Sequence, residues 1–242
     1  AARYDDPGRN EMAAKGWQGA DLVFDLDADH LPAIDAEAAS YAEMLEACKD
    51  ALQRLLALLK EDFGFSEEQL LVVFSGGRGY HVHVREGALL ELDSDARREV
   101  VDYVRAVELD RDDLVRTVRH GSTTRRELKT EGGWGRRVHR RLVEFVEDLR
   151  EMDEEEAMST LMDLDGIGDG RATTILGAVR NNPEAIREGN VEAGGPGIRR
   201  LVEALAAEVT ATQTAPIDEP VTTDIRRLIR LPGTLHGGTG FV

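Results

Sequence analysis

Residues 71–85, LVVFSGGRGYHVHVR, leave the chain few choices of local structure. Leu71 to Phe74 are an unbroken apolar run that ends in Ser75-Gly76-Gly77-Arg78-Gly79, and the residues beyond alternate. Tyr80, Val82 and Val84 share one face of an extended strand, and His81, His83 and Arg85 share the other. The reading is two strands joined by a glycine-rich turn. Three glycines in four positions let backbone N–H groups approach a bound group closely. The Ser75 hydroxyl, the Arg78 guanidinium and the His81 imidazole are donors that suit a phosphate. Glycines that only make a turn would give a similar string. Ser, Arg and His on the same short hairpin favour an anion site.

Around this hairpin the chain reads as α/β. Residues 18–27, QGADLVFDLD, form a strand with Leu22, Phe24 and Leu26 on one face and Val23, Asp25 and Asp27 on the other. Residues 35–61 read as a long amphipathic helix, with Tyr41, Met44, Leu45, Leu52, Leu55, Leu56 and Leu59 on its apolar side. Cys48 on that helix is expected to be a small buried apolar residue. From about 95 to 212 the pattern is helical, with polar links at 121–124, 131–135 and 192–197. Residues 217–232 return to strand character, with Leu228, Ile229 and Leu231 around Arg230. The simplest architecture is one α/β core, residues 1–105 and 213–242, interrupted by a mainly helical insertion at 106–212.

The paired aspartates carry the first chemical signal. Asp25 and Asp27 stand two apart on one strand face, about 6.5–7 Å along the backbone. Side chains at that spacing converge on one hard cation or on two. Two divalent ions about 3.5–4 Å apart activate an attacking hydroxyl and stabilise a departing pyrophosphate. Solvated aspartates at a strand end are the plain alternative, and Asp29, next on the same face, reads as that or as mere charge. Further on, 217–240 reads IDEPVTTDIRRLIRLPGTLHGGTG. It offers Asp218 or Asp224 as a third carboxylate, Arg230 inside an apolar run, and His236 among glycines.

At this point three blocks, DLVFDLDADH, FSGGRGYHVHV and IRLPGTLHGGTG, resemble the signature segments of the archaeal and eukaryotic DNA primase small (catalytic) subunit. They occur in that family's order and with its wide gap between the second and third. The resemblance covers roughly 1–105 and 213–242. It implies a primase catalytic core with a mixed sheet and flanking helices. It also implies nucleotidyl transfer that makes short RNA (or DNA) primers for replication. By the resemblance, Asp25, Asp27 and Asp218 are the catalytic metal ligands for Mg²⁺ or Mn²⁺, with Asp224 the alternative third acid. Ser75, Arg78, His81, Arg230 and His236 are the nucleotide contacts, and Arg227 is a weaker candidate. The partners implied are nucleoside triphosphates, a single-stranded DNA template and a primase large subunit. The family usually carries a Cys/His zinc module between the aspartates and the hairpin. Here that interval holds only Cys48 and His30, so no structural zinc is expected. Family members also have sequence before the first block and after the last. A chain that begins without Met and stops at Gly240-Phe241-Val242 is expected to be a fragment.

Charge decides how to read partners. Forty-seven acidic residues stand against 30 basic ones, for a net charge of −17. Only Lys15, Lys49, Lys60 and Lys129 are lysines. Acidic residues spread along amphipathic faces, with Arg over Lys, suggest a high-salt cytoplasm, and with the family resemblance this implies a halophilic archaeal source. At molar salt the Debye length falls to about 3 Å, so local basic patches say more than global charge. Such a patch lies at 116–141, where Arg125, Arg126, Trp134, Arg136 and Arg137 are candidates for DNA contact, the aromatic by stacking on a base. Residues 164–172, LDGIGDGRA, resemble a helix-hairpin-helix turn, which can offer N–H groups to a phosphate. The single cysteine excludes an intrachain disulfide, and no run of ~18 apolar residues predicts a membrane span. No leader is visible, which points to the cytoplasm. Two other readings share these residues: a primase-like repair or plasmid polymerase, and a scaffold that binds nucleotide or DNA without catalysis.

Overall fold

The computed structural model describes residues 2–32, 34–35 and 37–242, with the backbone alone at Arg111 and His120. In chain order the strands are β1 (Ala2–Tyr4), β2 (Trp17–Ala20), β3 (Leu22–Asp27), β4 (Leu70–Phe74), β5 (Gly79–Val84), β6 (Val115–His120) and β7 (Thr123–Leu128). The helices are α1 (Tyr41–Glu61), α2 (Ser94–Arg105), α3 (Arg111–Leu114), α4 (Gly133–Glu151), α5 (Glu154–Met162), α6 (Asp169–Asn181), α7 (Pro183–Arg187), α8 (Gly195–Gln213) and α9 (Glu219–Thr223). The class is mixed α/β, and every described strand pair is antiparallel. The chain divides into two compact units, one of Ala1–Val107 with Thr214–Val242, the other of Glu108–Gln213.

In the first unit β5 lies between β3 and β4. The apolar alternation of β3 puts Leu22, Phe24 and Leu26 at 1% exposure or less. On β5, Val82 and Val84 are fully buried beside them. Helix α1 packs against both strands. Its buried stripe is Met44, Cys48, Ala51, Leu52, Leu55, Leu58 and Leu59, at helical spacing. The outer edge of β3 is covered by the segment around α9. Thr222 Oγ1 donates to Val23 O at 2.8 Å, and Asp218 N donates to Asp25 O at 3.0 Å. Strand carbonyls that would otherwise face outward are thereby satisfied. Arg97 of α2, 1% exposed, ties β2 and β3 together: it donates to Ala20 O (2.6 Å), Asp21 O (3.0 Å) and Leu92 O (2.9 Å).

The second unit holds the β6–β7 hairpin and helices α3 to α8. Helix α4 packs against α6, α7 and α8, and buries Val138, Leu142, Phe145, Val146 and Leu149 along one side.

Three expectations from sequence change here. The helix expected from 35 begins at Tyr41, because Ser40 and Glu43 form a reciprocal capping box that stops the helix at its N-cap; Ala36, inside the expected span, lies outside the described residues. The helical block contains the β6–β7 hairpin, whose two-residue turn at Gly121-Ser122 falls in a segment read as a link. Val115 and Val118 fall on opposite faces of β6, so no period-2 apolar alternation marks the strand in the sequence. The strand expected over 217–232 is absent: α9 is followed by turns, and Leu228 and Leu231 are 92% and 67% exposed. An apolar run becomes a strand only against a ladder partner. Here it is the Arg230 side chain, and no backbone group of this segment, that bonds Phe74 O at the end of β4.

Candidate active site

The β3–β5 register sets Asp25 opposite His81 and Asp27 opposite Gly79. Gly79 allows that closeness: a Cβ there would lie 1.8 Å from Leu26 O. His81 Nε2 is 3.4 Å from Asp25 Oδ1. Burial, then the neighbouring His83 and Arg230, push His81 down to about 4, so at neutral pH its ring is uncharged and this contact is not an ion pair. His81 is 8% exposed and its Nδ1 has no hydrogen-bond partner among the described residues. Burial, then the like charges of Asp27 and Asp218, push Asp25 up to about 6.

The bond from Asp218 N to Asp25 O carries the third acid to this place. Asp218 Oδ2 lies 3.8 Å from Arg227 Nη2. Asp224 is exposed and accepts from Arg226 N at 2.9 Å, and it is not among the charges that raise Asp25. Asp27 Oδ1 accepts from Asp29 N at 3.1 Å and caps the short turn that follows β3. Asp25, Asp27 and Asp218 are hard oxygen donors of the type Mg²⁺ and Mn²⁺ take. The repulsion borne by Asp25 is what a cation would relieve. Among the described residues no three His, Cys, Asp or Glu side chains are drawn together closely enough to hold one ion, so the carboxylates are grouped by field and not by ligating geometry.

The glycine loop closes on itself and on the C-terminal segment. Ser75 N donates to Gly79 O at 2.9 Å, and Ser75 Oγ accepts from Gly77 N (3.3 Å) and Gly79 N (3.2 Å). Two amides on one hydroxyl oxygen polarise it and leave its own hydrogen to donate outward. Gly76 sits at φ +81°, and a Cβ there would lie 2.5 Å from His236 Cβ and 3.4 Å from Arg230 Cζ. Arg230 donates to Phe74 O at 2.6 Å and to Thr234 O, while its Nε has no partner among the described residues. His236 Nδ1 lies 3.1 Å from Thr239 N and 3.0 Å from Thr239 Oγ1, which ties the ring to the turn that follows it. Thus β3, the 75–79 loop, Arg230 and His236 form one neighbourhood within the first unit. Arg78, expected to meet a phosphate, has its guanidinium paired with Asp29. Cys48, fully buried, donates from Sγ to Arg78 O at 3.1 Å. Burial, then Asp27, Asp25 and Asp29, push its thiol up to about 11.

Tyr41 was read as part of the apolar side of the first helix. It is instead 44% exposed, and its hydroxyl donates to Gly77 O at 2.9 Å. The signal was available, since an aromatic at the first helical position after a capping Ser has no preceding turn to pack on. Asp29, read as possible spare charge, supplies the partner of Arg78.

The candidate DNA contacts lie in the second unit. Arg125 pairs with Glu127 (2.5 Å) and Glu188 (3.6 Å), and Arg126 pairs with Asp112. Arg136 is half-buried on α4. Arg137 is 5% exposed, donates to Gln213 Oε1 at 3.1 Å, and stands 5.9 Å from the Trp134 ring. Trp134 is only 4% exposed, which corrects the expectation that it stacks on a base. The glycines around it are no linker: they begin α4 and let the ring turn into the core, and a Cβ on Gly135 would lie 2.9 Å from Leu114 O. The 164–172 turn joins α5 to α6, with Gly166 at φ +71° and Arg200 bonded to Asp165 O at 2.8 Å.

Residues 24–242 match the family described as DNA primase small subunit. The chain is 69% identical over its whole length to the DNA primase small subunit PriS of Halorubrum lacusprofundi, covering 62% of that protein. Over 99% of the chain it is 53% identical to PriS of Haloarcula marismortui and 41% identical to PriS of Methanothrix thermoacetophila, covering 62% and 64% of them. The acidic composition fits relatives from halophilic archaea. The chain thus spans a little under two thirds of the length of these curated relatives, and no described helix is long and apolar enough to cross a membrane. With its aspartate strand, glycine hairpin and Arg/His segment inside the matched region, the chain belongs to the DNA primase small subunit family.

Proposed function

We propose that this chain carries the catalytic core of a primase, a nucleotidyltransferase that makes short RNA (or DNA) primers on a single-stranded DNA template in partnership with a large subunit. The observation that supports this most is the single neighbourhood formed by Asp25, Asp27 and Asp218 beside a glycine loop packed on Arg230 and His236. Carboxylates next to an anion cradle suit a reaction in which a hydroxyl attacks a triphosphate and pyrophosphate leaves.

In this reading Asp25, Asp27 and Asp218 would hold Mg²⁺ or Mn²⁺. Ions held by these carboxylates would supply a lowered pKa for the attacking hydroxyl and positive charge against the leaving phosphates. The Ser75 hydroxyl and the His236 ring are the groups that would meet phosphate oxygens, and Arg230 supplies positive charge against the end of β4. His81, uncharged at neutral pH, offers a hydrogen bond without a competing cation beside Asp25. Arg78 would reach a phosphate by exchanging Asp29 for it. Of the candidate DNA contacts, Arg125, Arg126 and Arg136 remain the ones proposed to meet the template backbone.

The test is primer synthesis on single-stranded DNA at molar salt with divalent metal, in the full-length protein with its large subunit. Asp25→Ala with Asp27→Ala should abolish synthesis while leaving the fold intact by circular dichroism. Retained synthesis in that double variant would sink the mechanism.

A further inference from the structure

The carbonyl oxygens of the glycine loop are held, one after another, by donors from other parts of the first unit. Phe74 O accepts from Arg230 (2.6 Å), Gly76 O from Thr239 Oγ1, Gly77 O from Tyr41 Oη (2.9 Å), and Arg78 O from Ala28 N (3.3 Å) and Cys48 Sγ (3.1 Å). In a trans peptide the C=O of one residue and the N–H of the next point opposite ways. Each donor that holds a carbonyl therefore also aims an amide. The amides of Gly77 and Gly79 are thereby turned onto Ser75 Oγ. The amide of Arg78, which shares its peptide plane with the Gly77 carbonyl, donates to nothing among the described residues. With the Gly77 and Gly79 amides taken up by Ser75 Oγ, the Arg78 amide is left to meet an anion.

Tyr41 stands out among these holds. It is 44% exposed, so a bond from its hydroxyl adds little to the stability of the fold. Its backbone is fixed by the capping box of Ser40 and Glu43, where Ser40 Oγ and Glu43 Oε2 are 2.6 Å apart. A rigid helix start thus holds a phenol against one loop carbonyl. We propose that Tyr41 is a positioning residue for the triphosphate: by holding Gly77 O it keeps the Arg78 amide turned toward the phosphate. This rests on the reading of the loop as a triphosphate cradle and adds a residue to it.

The experiment measures tripolyphosphate affinity by calorimetry at high salt for the wild type, Tyr41→Phe, Tyr41→Ala and His236→Ala. It also follows the Arg78 amide by nitrogen-15 NMR on addition of tripolyphosphate. Tyr41→Phe should bind about fivefold more weakly, the effect of one lost hydrogen bond. Its thermal midpoint should stay at the wild-type value, and the shift of the Arg78 amide on binding should shrink. Tyr41→Ala should be no worse than Tyr41→Phe. Wild-type affinity in Tyr41→Phe overturns the proposal. So does a loss confined to Tyr41→Ala, which would mean that the ring acts by packing or stacking. If His236→Ala loses affinity while Tyr41→Phe keeps it, only the role of Tyr41 falls. If the wild type itself fails to bind tripolyphosphate, the cradle reading falls with it.

Discussion

Gly76 and His236 compete for one space: a Cβ on Gly76 would lie 2.5 Å from the Cβ of His236. The backbone at Gly76 is also left-handed, at φ +81°. Gly76→Ala should therefore do two separable things. The strained conformation should lower stability by about 1–2 kcal/mol in chemical denaturation. Displacement of the His236 segment should weaken nucleoside triphosphate binding by about tenfold. A variant with lowered stability and intact triphosphate affinity would show that the His236 segment takes no part in binding.

The acidic group gives a pH dependence of unusual sign. Asp25 is raised from its ordinary 3.8 to about 6, so between those values the folded state holds more protons than the unfolded one. Its contribution to stability is then greatest at low pH and falls as pH rises through that window. Asp25→Asn removes the effect. The stability of Asp25→Asn relative to wild type should rise across the window and level off above about 6. Two parallel curves would contradict this. Asp218→Asn, by removing one like charge, should move Asp25 downward in a carbon-13 carboxyl titration. At neutral pH, Mn²⁺ should raise the wild-type thermal midpoint and leave that of Asp25→Asn with Asp27→Asn unchanged.

Arg97 is a buried cation held by carbonyls of Ala20, Asp21 and Leu92. Arg97→Met fills much of the volume but leaves those acceptors without a donor. We expect a loss of about 3 kcal/mol in denaturant unfolding. Arg98→Met, next to it and not buried, should change stability by no more than about 0.5 kcal/mol. Equal effects from the two would count against the role assigned to Arg97.

Cys48 should be chemically quiet in the folded protein. Its thiol is raised from 9.0 to about 11, and its side chain is fully buried. Since the thiolate is the nucleophile, alkylation near pH 9 should be at least about tenfold slower in the native chain than in denaturant. Native alkylation as fast as the unfolded rate would mean that the helix opens over Cys48, and with it the support of Arg78 O.

The parts of this molecule that were legible in the sequence are those where local pattern and tertiary need agree. Leu71–Phe74, the glycines and the alternation of Tyr80 to Val84 contain the β4–β5 hairpin outright, because strand period and turn chemistry are both local. The nearness of Asp218 to Asp25 was not readable from spacing, since it depends on one backbone bond to the edge of β3. Arg78 was read by residue type alone, and the partner that engages it, Asp29, is set by how the turn after β3 folds back. Trp134 misled because a glycine run looks like a link, whereas here the glycines open a helix and let a large ring turn inward. The β6–β7 hairpin was hidden because Val115 and Val118 fall on opposite faces of a mostly polar, arginine-rich strand, so no apolar face marks it.

The covering of β3 by residues 218–222 has a consequence for the nascent chain. Thr222 reaches Val23 across 199 positions of sequence. While the protein is being made, β3 can pair with β5 early, but its other side stays exposed until residues 218–222 have left the ribosome. For all that time an unpaired strand edge of mostly apolar residues is open to other chains. A halt in translation anywhere in the second unit would therefore leave a sheet that is half-built, sticky and without its third carboxylate.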